Sequence, residues 1–197
     1  TVFDPVSGQI TRQAPMGLAR WYATATTRAD GSIFVQGGDL GGQHPELWTT
    51  GGGAKMLGLD TSAVDWYYPR NFVTPNGRIF GVDVFGKMYF ISPDLGSIRF
   101  VGTIPVTGRG STAVMYQPGK VLVLGGNTND AVTIDVTGND PVVTTITSTS
   151  TRRDWANSTL LPDGRVLVTG GSGGHNTLDG VNNWAETWDP TTGQWSF

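Results

Sequence analysis

Apolar residues in this chain recur in short runs, each placed directly after a turn glycine. Four times a glycine is followed by five mostly apolar residues, and three of the four runs close on Gly-Gly. The turn glycines are Gly31, Gly77, Gly119 and Gly164, at spacings of 46, 42 and 45 residues. Asp-Gly and Asn-Gly steps favour tight hairpins because glycine accepts the positive φ that such turns need. Since another β-prone run precedes every turn, the pattern predicts a central hairpin in each of four repeats.

The repeats also carry a signature for their outer strands. Residues 3–10 (FDPVSGQI) match residues 188–195 (WDPTTGQW), at a distance of four repeats. Asp-Pro followed by glycine is turn chemistry, and the flanking aromatic residues suit outer strands. The chain is therefore predicted to be all-β, with four antiparallel four-stranded blades of a kelch-type β-propeller in one domain over residues 1–197. Its central hairpins are expected around residues 20–38, 66–83, 109–126 and 153–171.

Four blades indicate part of a larger ring. Rings of this type usually carry about six or seven blades, and we expect a seven-bladed ring, with a closed four-bladed ring as the alternative. Each blade buries its apolar surface against its neighbours, so the expected partners are the remaining blades or another protein chain. The chain opens with Thr1 rather than Met, which fits a processed or truncated molecule.

Composition and charge exclude several classes of function. The formal net charge is −3, from 13 basic and 16 acidic residues without a run of like charge, so no nucleic-acid partner is expected. No apolar stretch is long enough to predict a membrane span. Cysteine is absent, which excludes thiol catalysis and thiolate metal sites within these residues.

Few residues outside the turns offer site chemistry. The two histidines, His44 and His175, lie in Gly-rich loops; they could form a metal pair, but surface loop positions are the commoner case. The segments GGDLGG and GGSGG lack the Lys-Ser/Thr step and the following helix of a phosphate loop. The aspartates of the hairpin and Asp-Pro turns are explained as turn formers. From the residues alone, the central channel of the propeller is the default ligand site.

Aromatic residues cluster in the strand before each central turn. They occur as Arg20-Trp21-Tyr22, as Trp66-Tyr67-Tyr68, as Tyr116, and as Arg153-Asp154-Trp155. Two interpretations remain open for each ring. Propeller blades bury aromatics between sheets, with the hydroxyl of a buried tyrosine satisfied by a backbone carbonyl. Alternatively, some rings lie at the channel mouth, and Tyr22 is the residue we single out.

An ordered set of strings resembles the glyoxal oxidase and galactose oxidase family of copper-radical oxidases. The strings are RWYAT at 20–24 with DG at 30–31, PELW at 45–48, YPRNF at 68–72 with NG at 76–77, GSTAVM at 110–115, and NSTLLPDG at 157–164. A single motif of this kind is weak, but the set runs in order along the whole chain. The resemblance implies the central part of such a propeller.

The resemblance also implies a mechanism. Enzymes of this family hold one copper ion with two histidines and two tyrosines, one of them cross-linked to a cysteine and carrying a radical. Tyr22 keeps that tyrosine's position before the hairpin Asp30, so the resemblance makes it a catalytic residue and copper ligand. If so, its hydroxyl faces the propeller axis, with Trp155 and Trp66 as pocket residues that shield the radical.

This chain departs from the family pattern in ways that limit its own activity. It has no cysteine for the cross-link, and the remaining copper ligands would lie outside it, so we expect no copper on this chain alone.

Two functions stay open for the parent protein. The intact parent is expected to be a secreted oxidase that uses O₂ on small aldehydes or primary alcohols and releases hydrogen peroxide. The alternative is a non-catalytic propeller, extracellular or on the cell surface, that binds carbohydrate or protein. A cysteine upstream and a Tyr-His pair downstream in the parent would discriminate between them.

Overall fold

The computed structural model describes residues 1–197 and consists of strands and turns without helix. The four-stranded sheets, here blades 1 to 4, are numbered along the chain. Blade 1 contains β3 (Ala23–Thr27), β4 (Ile33–Gly37), β5 (Glu46–Thr49) and β6 (Gly53–Met56). Blade 2 contains β7 (Arg70–Val73), β8 (Ile79–Val82), β9 (Lys87–Ile91) and β10 (Ile98–Thr103). Blade 3 contains β11 (Ser111–Gln117), β12 (Lys120–Gly125), β13 (Ala131–Asp135) and β14 (Val142–Ile146). Blade 4 contains β15 (Asn157–Leu160), β16 (Val166–Thr169), β17 (Glu186–Asp189) and β18 (Gln194–Ser196).

Every blade is an antiparallel meander in which each strand pairs with the next one along the chain. The predicted fold class, four antiparallel four-stranded blades of a β-propeller, is confirmed, and the ring is not closed. The four turn glycines lie between the first two strands of their blades, with φ between 75° and 85°. A residue with a side chain would be strained there, which explains why glycine marks the repeat.

In blades 2 and 3, apolar side chains alternate along the second strand and so contact two neighbouring blades. In β12, Val121 and Val123 belong to the core between blades 2 and 3, whereas Leu122 and Leu124 belong to the core between blades 3 and 4. This is the two-residue period of a strand buried on both faces. The core between blades 2 and 3 is the largest, with 11 buried residues, and a third core joins blades 1 and 2.

A fifth, two-stranded sheet precedes blade 1. It pairs β1 (Val2–Phe3) with β2 (Ile10–Thr11). Phe3 faces Ile10 across this pair as Trp188 faces Trp195 across β17 and β18, so the sheet repeats the outer half of blade 4. The two aromatic residues differ in burial: Trp188 is 2% exposed, whereas Phe3 is 60% exposed. No helix in the structure is long and apolar enough to cross a membrane.

Candidate functional site

One repeat position brings the predicted site residues to the same end of the blades. When the turn glycines are aligned, Tyr22, Tyr68, Gly110 and Trp155 occupy the position just before the innermost strand, here the blade-start position. Tyr22, Tyr68 and Trp155 have φ values of 71°, 47° and 62°. Bulky residues rarely adopt this left-handed backbone, and such strain is found preferentially at functional sites.

Backbone hydrogen bonds tie these positions together in pairs. The Tyr68 N–H donates to the Tyr22 carbonyl at 3.1 Å, and the Trp155 N–H donates to the Gly110 carbonyl at 2.9 Å. The start of blade 2 is thus fixed to that of blade 1, and the start of blade 4 to that of blade 3. The surrounding structure holds the strained residues in place, as persistence of such a conformation requires.

Tyr22 lies in an aromatic cluster. Its ring centroid is 4.6 Å from that of Tyr67, 4.9 Å from that of Tyr68 and 5.3 Å from that of Trp21. The Tyr22 side chain is half-buried, belongs to none of the three inter-blade cores, and lines an open cavity of about 280 Å³. A solvent-facing cavity, rather than a sheet-to-sheet core, is therefore its environment.

The two predicted pocket residues reach this cluster only through an intervening tyrosine. Trp155 pairs with Tyr68 at 6.4 Å between centroids, and Trp66 pairs with Tyr67 at 5.3 Å. Neither forms a ring pair with Tyr22 itself. Their role in a substrate pocket stays a prediction, as does the role of Tyr22.

The tyrosines beside Tyr22 are held in their neutral form. Burial raises the pKa of both Tyr67 and Tyr68 above the ordinary value for tyrosine, and the nearby Tyr22 phenol raises each pKa further. The Arg109 guanidinium lies 4.3 Å above the Tyr67 ring and lowers the pKa of Tyr67 in part. Both shifts favour the neutral phenol, which can donate a hydrogen bond.

Behind the blade-start position of blade 1 lies a buried ion pair. The Arg20 guanidinium donates to Glu46 Oε1 through Nε at 3.0 Å and through an Nη at 2.8 Å, and both side chains are fully buried. Arg20 also donates to the carbonyls of Gly37 and Gly41, and Glu46 Oε2 accepts the N–H of Gly17 at 2.7 Å. The segment that ends in Tyr22 is therefore fixed from within its own blade.

Blade 4 repeats this arrangement. The Arg153 Nε donates to Glu186 Oε2 at 2.7 Å, and Arg153 also donates to the carbonyls of Gly170 and Trp184. Glu186 Oε1 accepts the N–H of Ser150 at 2.9 Å. The sequence analysis did not predict these pairs. Arginine recurs at one repeat position and glutamate at another, but loops of different length separate them.

A second buried charge lies beside Trp155. Asp154 is 1% exposed, and neither of its carboxylate oxygens accepts a hydrogen bond within the geometric limits. The nearest ionisable partner is His175, whose Nδ1 lies 3.4 Å from Asp154 Oδ2. The His175 ring also contacts the Trp155 ring at 5.3 Å between centroids. The sequence alone predicts His175 to be a surface loop histidine, with half of a metal pair as the alternative, and does not predict its contact with Asp154.

Metal-ligating side chains do not gather in larger groups. No group of three or more histidine, aspartate and glutamate side chains is placed to hold a metal ion. Tyr22 remains the one copper ligand that the resemblance predicts in these residues. The metal pair considered for the two histidines stays a prediction.

Comparison with known proteins identifies the fold. No protein-family model and no curated protein matches the sequence. Among solved structures, a fungal alcohol oxidase of the AA5 family in complex with copper superimposes with a TM-score of 0.81 and 21% identity over 92% of this chain. The chain has the fold of β-propeller blades. It spans 44% of that alcohol oxidase.

A second solved structure, that of YjhT, is also similar to this chain. It superimposes with a TM-score of 0.68 and 13% identity, over 90% of this chain and 70% of the other. At these sequence identities the structural likeness establishes the fold of this chain. It does not carry the activity of the alcohol oxidase over to this chain.

Proposed function

We propose that this chain is part of a secreted copper-radical oxidase resembling glyoxal oxidase, and that the parent protein oxidises small aldehydes or primary alcohols. For an alcohol, two electrons and two protons pass to O₂, giving an aldehyde and hydrogen peroxide. The proposal is supported by the likeness to a copper-containing alcohol oxidase and, above all, by the position of Tyr22. That residue is strained, lies outside the cores and faces an open cavity at the blade-start position.

In this proposal the residues of the chain bind and orient rather than complete the site. Tyr22 is the copper ligand, and the remaining ligands belong to other blades, which also cover the open faces of this fragment. Tyr67 and Tyr68, neutral because burial raises the pKa of each, form the wall beside Tyr22. Trp155 and Trp66 lie one ring further out, where they would shield the Tyr22 phenol from water. The fragment alone is inactive.

The test is a Tyr22→Phe substitution in the full-length parent. Turnover of methylglyoxal, followed as peroxide release, is expected to be abolished while the thermal unfolding midpoint changes little. Tyr116→Phe is the matched control, because it removes a half-buried phenol that contacts Trp188 instead of the cluster. A Tyr22→Phe parent that oxidises at the normal rate removes this residue from the mechanism. Copper added to the fragment alone is expected to give neither radical absorption nor peroxide.

A non-catalytic propeller for carbohydrate or protein binding is the second candidate. It is favoured by exposed aromatic surface at the same end of the blades, where Trp21 is 65% exposed and Phe85 is 67% exposed. Such rings combine an apolar face with low conformational freedom, as binding surfaces require. Stoichiometric copper in the purified parent supports the oxidase, whereas a metal-free parent that retains saturable binding to a carbohydrate array supports this candidate.

A further inference from the structure

The buried Asp154 carboxylate has no structural role that its contacts explain. A buried charge without hydrogen-bond donors is costly, and proteins keep such groups where a ligand or a titratable partner needs them. Asp154 makes its backbone bridge to Ser172 through main-chain atoms, so the side chain is not needed for it. The ionisable group nearest the carboxylate is the His175 imidazole, whose Nδ1 lies 3.4 Å from Asp154 Oδ2.

The neighbouring blade leaves room for this carboxylate. The blade-start position holds an aromatic residue in three blades, but in blade 3 it holds Gly110. A Cβ built on Gly110 would lie 1.7 Å from Asp154 Oδ1 and 2.6 Å from the Trp155 nitrogen. Any side chain at residue 110 would therefore displace Asp154. The repeat pattern is interrupted at the one position where an aromatic ring would close the space that the carboxylate occupies.

His175 connects the buried carboxylate to a solvent-filled cavity. Its side chain is 42% exposed and lines a cavity of about 420 Å³ together with Asp65, Arg109 and Asn127. Because Nδ1 faces Asp154, Nε2 lies on the opposite side of the ring. Arg109 is held over the Tyr67 ring by a cation–π contact, which places a guanidinium on the same cavity. The volume suits a small molecule.

We propose that Asp154 and His175 form a hydroxyl-binding site for small hydroxylated ligands. Asp154 is the positioning residue: its carboxylate, 3.4 Å from Nδ1, favours the imidazole tautomer that carries its proton on Nδ1. The Nε2 lone pair then accepts a hydrogen bond from a ligand hydroxyl, and Arg109 binds a carbonyl or carboxylate oxygen of the same molecule. The site extends the proposed function, since a small primary alcohol is what it would hold. Ligand binding at this site requires neither bound copper nor enzymatic turnover, so it is tested separately from the proposed function.

The experiment compares glycolate with acetate, which lacks only the hydroxyl group, on the ¹⁵N-labelled chain. Both ligands are titrated against the backbone amide and indole N–H signals, which remain when a histidine is replaced. The imidazole nitrogen signals, which come from two histidines only, report the tautomer. Glycolate is expected to bind at least about tenfold more tightly than acetate, because a site that pairs with a hydroxyl rejects the analogue without it. His175→Phe keeps a ring against Trp155 and removes both nitrogens. In this variant the ratio of the glycolate affinity to the acetate affinity should therefore fall to about one. His44→Phe, the same change in another loop, should leave it intact.

The positioning role of Asp154 has its own readout. In the wild-type chain the Nδ1–H tautomer of His175 should dominate at pH 8. Asp154→Ala should mix the two tautomers and weaken the preference for glycolate. In Asp154→Asn the amide oxygen can still accept a hydrogen bond from Nδ1–H, so this variant should keep much of the Nδ1–H tautomer and of the preference for glycolate. Equal binding of glycolate and acetate by the wild type, or an unchanged preference in His175→Phe, overturns the site. An unchanged tautomer in a folded Asp154→Ala chain overturns the role of Asp154; if that variant does not fold, the His175→Phe comparison decides.

Discussion

Blades 1 and 4 fix their blade-start segments differently from blades 2 and 3. In blades 1 and 4 an arginine of that segment forms a fully buried ion pair with a glutamate of the third strand. At the equivalent positions blade 2 has Trp66 and Tyr89, and blade 3 has Gly108 and Val132. These two blades share the largest apolar core instead. One backbone geometry is thus compatible with two different interiors.

Blade 2 has a substitute for the missing ion pair. The Arg70 guanidinium donates to the carbonyl of Tyr68 in its own blade and to the carbonyls of Arg109 and Ser111 in blade 3. Burial lowers the pKa of Arg70 to about 10, so the group stays charged at neutral pH. The lesson is that the start of a blade must be anchored by hydrogen bonds to backbone carbonyls, while the source of the donors is free to change.

The largest expected effect comes from breaking the ion pair of blade 4. Arg153→Ala leaves Glu186 as an unpaired buried charge, which costs about 3–5 kcal/mol of unfolding free energy. Urea unfolding followed by tryptophan fluorescence measures it. Arg165→Ala is the control, because the Arg165–Asp163 pair is about half exposed and should contribute less than about 1 kcal/mol. Equal losses in the two variants would show that burial of the pair is irrelevant.

Replacing both partners sharpens the comparison. Arg153→Met with Glu186→Val gives blade 4 an apolar interior like that of blade 3, and no buried charge remains unpaired. The double variant should lose about 1–3 kcal/mol, less than Arg153→Ala alone, because the carbonyls of Gly170 and Trp184 still lose their donor. A double variant less stable than the single one, in the same urea series, would contradict this.

A smaller effect is expected in the apolar core of the inner blades. Ile134→Val removes one methyl group from a residue with no exposed surface, at a cost of about 0.5–1.5 kcal/mol. The loss should be the same at low and high salt, since no charge is involved. Val142→Ala, on an exposed part of the next strand, should stay within about 0.5 kcal/mol. A salt-dependent loss for Ile134→Val would show that electrostatics reaches this core.

The smallest effect concerns a surface carboxylate of blade 3. Hydrogen bonds from Thr137, and then from Lys120, lower the pKa of Asp135 to about 2. A carboxyl with a lowered native pKa adds stability above its unfolded pKa of about 4, and this is lost as pH falls towards 2. The ion pair between Asp135 and Lys120 is partly exposed. Asp135→Asn should therefore lower the free energy of unfolding by at most about 1 kcal/mol at pH 7 and by almost nothing at pH 2. Unfolding measurements at the two pH values test this; an equal loss at both would exclude the charge as its cause.

The fold could be predicted because its rules are local. Positive-φ glycines such as Gly119 mark the hairpins, and the alternation in β12 assigns its two faces. For the site, the sequence singles out Tyr22 by resemblance, and its role stays a prediction. Asp154 and His175 lie 21 positions apart, and only the course of two loops brings them together. The sequence also does not show why residue 110 is glycine, because the reason is its contact with Asp154 of the neighbouring blade.

The two-stranded sheet before blade 1 has a consequence for handling the protein. β1 pairs with β2 on one side and with no strand on the other, and Phe3 and Ile10 are 60% and 70% exposed. An open strand edge with apolar side chains is a template on which a second polypeptide adds by backbone pairing. We therefore expect self-association of the chain to begin at this short edge, at a rate that rises with protein concentration.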